Sequence, residues 1–299
     1  MIARVVAGAV AWAAAALWAY GMAVLQPLCE PGSAFWESAE NNSYWARDVR
    51  WGAILAVTAA LWAATRGVAA PVVGVGWLGA DLAFDRMDPG TATVTASAAG
   101  VGLILTAVVV FLGRPPARRR GLVWAALACV LAAGLVARLE SPTDTEPQLG
   151  PSRLAAFAVL VAAAAFCLTV ARYPWWATAG IVALLAPVAV PGAPLWVSFL
   201  LLVTAAAGIL ALRRPGVRVG VLVATLVTVP ISLVAVLLLL LQAARPFTAL
   251  AGNEPINGAD SDPSLVLSAV ATALVCFAIV RLCSAGVTRG SSAGVARFS

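Results

Sequence analysis

A chain of 299 residues that is 62% hydrophobic and 11% charged, with a mean hydropathy of +0.97, does not describe a water-soluble globule, which would carry roughly 25% charged residues. The net charge of +6 comes from nineteen arginines against thirteen acids, with no lysine and no histidine. Those two absences exclude a P-loop, Schiff-base catalysis, a Ser-His-Asp triad, an HExxH zinc site and an imidazole switch.

Spanning helices need about 20 largely apolar residues. Ten windows of that kind follow in chain order: 3–25, 47–65, 68–84, 94–112, 122–139, 154–171, 174–190, 194–212, 219–241 and 265–283. The first carries Arg4 and the small-residue tripeptide Gly21-Met22-Ala23, the outline of a cleaved signal peptide. Its apolar run exceeds the about 7–15 residues of a signal core, so a retained span is expected; cleavage would leave nine. Helices are expected throughout, because bare backbone groups in lipid cost several kcal/mol and no alternating barrel pattern is present. Residues 284–299 are expected to form a short disordered tail, and the rest a single transmembrane domain.

The gaps between windows sort the charges. One alternating set holds thirteen arginines (Arg4, Arg66, Arg172, Arg281 and the 114–120 and 213–218 turns among them) and no acid. The other holds Arg47, Arg50, Arg86, Arg138, Arg153 and Arg245 with all thirteen acids, a net of −7. Lys/Arg excess marks cytoplasmic loops, so an all-α bundle with both termini cytoplasmic is expected in the plasma membrane. Trp18, Tyr20, Trp51 and Trp196 fall near outer boundaries, and Trp62, Trp124, Tyr173, Trp175 and Trp176 near inner ones, as an interfacial belt would. A parallel repeat is also expected, spans four to six echoing eight to ten. Arg114-Pro115 and Arg214-Pro215 precede similar helices, and Pro151-Ser152 and Pro263-Ser264 open others.

Few residues point to chemistry. Gly74-x-Gly76-x-x-Gly79 copies the dinucleotide fingerprint as a string, but lies inside an apolar segment with Asp81 too close behind. Close helix packing explains it better. Asp81, Asp85 and Asp88 fall within about 60° of one another if the helix continues that far. Crowded carboxylates at the end of a span suit a proton or cation site. The plainer expectation is a helix end running into a polar turn, with Arg86 relieving the repulsion. Gly79-Ala80-Asp81 departs from the Gly-x-Gly-Asp of intramembrane aspartyl proteases. In the first outer loop Glu37 and Glu40 form a carboxylate pair among Trp36, Tyr44, Trp45 and Trp51, which reads as a short surface helix. Asp260 and Asp262 lack EF-hand spacing, and the arginines of 114–120 are topology anchors.

The leading functional expectation is a small-solute permease or exporter. A non-enzymatic membrane subunit that packs against a protein or lipid partner is the alternative. The third is an extracytoplasmic transferase using Glu37 and Glu40 on a lipid-linked substrate. No cofactor, metal or nucleic acid is expected; the partner in every case is the lipid bilayer.

Overall fold

The computed structural model describes residues 2–29, 43–65, 69–87, 89–112, 120–139, 149–211, 219–241, 243–252 and 264–295. The described chain is 90% helix, with no strand. Helix α1 (Ile2–Tyr20) runs through a π turn (Gly21–Leu25) into the short α2 (Gln26–Cys29). Then come α3 (Ser43–Ala64), α4 (Ala69–Met87), α5 (Thr91–Leu112), α6 (Arg120–Val136) and α7 (Leu149–Val170). Helix α8 (Trp175–Leu185) tightens into a 3-10 turn (Ala186–Ala189) at Pro187, whose missing N–H suits the first position of a turn. The rest are α9 (Leu195–Ala211), α10 (Val219–Leu239), the short α11 (Ala244–Leu250) and α12 (Leu265–Val295), the last running past the apolar window into 284–299.

Among the described residues, three helices can cross a membrane by length and composition, over Arg4–Leu25, Gly150–Val170 and Leu265–Leu282, and five shorter apolar helices accompany them. Helix α3 packs on α1, α4, α6, α7 and α12, and α6 packs on α3, α7, α9 and α12. From Trp45 to Thr65 only Trp62 is exposed, and no described residue of α6 is. These two helices form the centre, whereas α8, α9 and α10 turn Trp175, Trp196, Leu200, Ile231 and Leu239 outward. A helix surrounded by other helices is the one place where charge can be kept out of lipid. Helix α3 carries three charged residues there.

The window 47–65 therefore began too late. The helix starts at Ser43, and Trp45, Arg47, Asp48, Arg50 and Trp51 are at most 2% exposed. Trp45 and Trp51, expected on a surface helix, are interior. The window 68–84 ended too early for the same reason, since α4 continues to Met87 and buries Asp85. Hydropathy scores each residue alone, and mutual neutralisation escapes it.

Glycine packing follows close approach. A Cβ on Gly74 would collide with Thr58 of α3, whereas Gly76 and Gly79 face open space. The fingerprint string thus contributes one helix contact, at Gly74. Helix α7 ends with Arg172 at φ 67, the left-handed region. Arg172 N–H donates to Thr169 O and Tyr173 N–H to Leu168 O, both at 3.0 Å, closing a Schellman end. An arginine held there is strained by about 1–2 kcal/mol. Arg172→Gly is accordingly expected to stabilise the solubilised protein by about 1 kcal/mol. Thermal unfolding of the two proteins side by side checks this, and a lower midpoint for the variant would contradict it.

Candidate functional site, a buried arginine–aspartate cluster

The ends of α1, α3 and α4 meet around Arg50, which is 0% exposed. Positions 47, 50 and 51 share one face of α3, and 81 and 85 one face of α4, by the i, i+3, i+4 rule. Packing of α3 on α4 sets the two faces opposite each other. The guanidinium uses all three of its nitrogens. Nε donates to Asp81 Oδ1 at 2.8 Å, Nη2 to Asp85 Oδ2 at 3.1 Å, and Nη1 to Gln26 Oε1 of α2. Arg47 Nη2 lies 3.7 Å from the same Asp85 oxygen. Two guanidinium groups thus balance two carboxylates.

Asp81 is also 0% exposed, and donors surround it. Trp18 Nε1 reaches Oδ1 at 2.8 Å and Trp51 Nε1 reaches Oδ2 at 2.9 Å. Trp18 stands edge-on to Trp77 and Phe84, with ring centroids 5.8 and 5.6 Å away. These rings screen the cluster from solvent, which strengthens each charged hydrogen bond and raises the cost of breaking one alone. Asp85 Oδ1 is buried with no hydrogen-bond partner among the described residues.

Gly21 makes the seat possible. A Cβ there would stand 2.5 Å from Arg50 Cγ. Since real Cβ atoms do not come that close, only glycine lets α1 pass the arginine stem. The π turn opens at this residue, and single π turns inside helices often mark functional positions.

A second buried acid does different work. Asp48 Oδ1 accepts from Ser264 Oγ at 2.9 Å and from Val266 N–H at 3.1 Å, and Oδ2 from Leu265 N–H at 2.8 Å. A side chain on α3 therefore caps the N-terminus of α12, where free N–H groups and the helix dipole favour an anion.

Of the sequence candidates, the structure brings together Asp81 and Asp85; Asp88, Glu37 and Glu40 lie outside the described residues. Arg86 does not relieve the aspartates. Its Nη1 donates to Leu250 O of α11 at 3.3 Å, and Arg50 with Arg47 neutralises the acids instead. Trp18 and Trp51 are likewise not belt residues. They are 1% and 2% exposed because their N–H groups satisfy a buried carboxylate, whereas Trp175 and Trp196 stay 81% and 71% exposed. Sequence reasoning missed Gly21, Gln26, Trp18, Arg47, Arg50 and Trp51. The available signal was a pair of basic residues three apart facing acids four apart across a short helix hairpin.

Chemically the cluster is a clasp. It joins three helices through groups that are costly to bury singly, and it presents no exposed acid or nucleophile. Among the described residues no set of three or more potential ligands could hold a metal ion. Comparison with protein-family models, with curated proteins and with solved structures gave no match.

Proposed function

We propose that this chain is a ten-span protein of the plasma membrane, both termini cytoplasmic, that works as a small-solute permease or exporter closed at its outer end by the Arg50–Asp81–Asp85 clasp. The observation that carries this reading is the clasp. Exchanging a buried ion pair for apolar side chains is often neutral or stabilising, so a pure anchor has little use for one. Ionised groups at membrane depth are functional by default.

Several features support the membrane part. All ten apolar windows fall on helices, and the outer-loop ends of α1, α3, α4, α11 and α12 meet one another. Trp175 and Trp176 open α8 at one end, Leu195 and Trp196 open α9 at the other, and all four are exposed. The stretch between them measures about 25 Å, close to the about 30 Å of a hydrocarbon core. The parallel repeat would relate α5, α6 and α7 to α9, α10 and α12.

The subunit reading draws on a specific observation too: the hydrogen bonds that Asp81 accepts from Trp18, Arg50 and Trp51 suit a permanently shut bundle. Flux separates them. Purified protein in liposomes is to be challenged with gradients of glycerol, urea and glycine and followed by light scattering. Under the permease reading wild-type protein passes at least one solute above empty liposomes, and the charge-balanced Arg50→Met/Asp81→Asn changes that rate about fivefold or more. Flux equal to empty liposomes in both proteins, with another polypeptide co-purifying, would leave the subunit reading standing.

A further inference from the structure

We infer that α11 is a lid over the clasp and that its docking controls opening of the outer end, an inference that rests on the permease reading. Helix α11 lies on α3 and α4, beside the charged cluster. Phe247 sets its ring at 87° to Trp51, centroids 4.8 Å apart. Trp51 is the residue whose indole N–H holds Asp81 Oδ2. A continuous run of contacts therefore leads from Phe247 through Trp51 and Asp81 to Arg50, each an interaction with a defined geometry.

The two ends of the α10–α12 connection are held very differently. At the far end Ser264 and the start of α12 are fixed by three hydrogen bonds to Asp48, which is 2% exposed. At the near end, among the described residues, α11 is held by the Phe247–Trp51 edge contact, by the buried Ala251 that follows it and by an exposed hydrogen bond, Arg86 Nη1 to Leu250 O at 3.3 Å. Leu250 remains 56% exposed. Helix α11 is thus caught on α3 and α4 at Trp51 and at an exposed arginine, so lifting it from them breaks a ring contact and a solvent-exposed hydrogen bond. When Phe247 leaves, Trp51 loses the ring that fixes its plane, and its hydrogen bond to Asp81 loses support. The clasp then depends on Arg50 and Trp18 alone at that carboxylate. Buried groups of this kind act as two-state devices, because a half-made network is worse than either a complete or an open one.

The experiment uses the full chain in intact cells, with the five native cysteines replaced and Ile54→Cys as reporter. Ile54 is 5% exposed and lies one turn below Arg50 on α3, beneath the clasp. A membrane-impermeant methanethiosulfonate is added outside and the labelling rate measured. Phe247→Ala is expected to raise that rate about tenfold, the weight of one aromatic pair. Arg86→Ala, an exposed change that spares the fold, is expected to raise it about threefold, and the double variant more than either. Labelling unchanged from wild type in Arg86→Ala and in Phe247→Ala would overturn the lid. Faster labelling without solute flux in liposomes would keep the lid and reject the permease; flux without a labelling response would do the reverse.

Discussion

Arg50→Met is expected to destabilise the solubilised protein by about 3–5 kcal/mol, while the charge-balanced double change Arg50→Met/Asp81→Asn, which leaves Arg47 with Asp85, costs less. The single change leaves Asp81 and Asp85 buried, with Arg47 at 3.7 Å from one oxygen as their remaining cation in the cluster. Removing one partner of a buried pair exposes the full desolvation penalty of the other. The double change removes one charge of each sign, and Asn at position 81 keeps one oxygen to accept from either Trp18 or Trp51, so part of the hydrogen bonding is still lost. Thermal and chemical unfolding in one detergent would measure the difference. If the single variant proves as stable as the double, the clasp contributes little and Asp81 must have another source of compensation. Arg50→Lys should recover only part of the loss, since an ammonium cannot serve three acceptors spread around a planar fork.

Asp48→Ala is expected to cost about 3 kcal/mol, more than an ordinary N-cap deletion of about 1. Two backbone N–H groups and the Ser264 hydroxyl lose their acceptor at once, in a place that solvent reaches poorly. Asp48→Asn keeps one carbonyl oxygen and should fall between the two. Limited proteolysis would locate the effect, because cleavage should concentrate at the start of α12 and leave the α1–α3–α4 end protected. Cleavage spread evenly over the chain would argue against a local cap.

Much of the fold was legible in the sequence, because apolar windows of 17–23 residues have few alternatives to helix. The positions of α5, α7 and α9 follow from hydropathy to within a few residues. What escaped was whatever depends on a second chain segment. Hydropathy cut α3 at Arg47 and α4 at Phe84, since a charge scores as polar until its partner is known. An indole near a helix end fits a lipid interface and a buried carboxylate equally well by pattern, and only packing separates Trp51 from Trp196. Within the candidate site Asp81 and Asp85 were visible as an i, i+4 pair, whereas Gly21 and Gln26 had no local mark at all. The Ser264 cap was announced by its place before an apolar run, but its acceptor, 216 residues earlier, was not.

That separation bears on the order in which the molecule is made. Helix α3 leaves the ribosome with three charged side chains, Arg47, Asp48 and Arg50, that finish at most 2% exposed. Arg50 finds Gln26 already present and waits only for α4, some thirty residues behind it. Asp48 has the neighbouring Arg47 charge from the start, but the Ser264 hydroxyl that it accepts from is made 216 residues later. Until α12 arrives, water has to serve in place of its donors. A chain stopped before Ser264 would lack all three hydrogen bonds that Asp48 accepts from the start of α12.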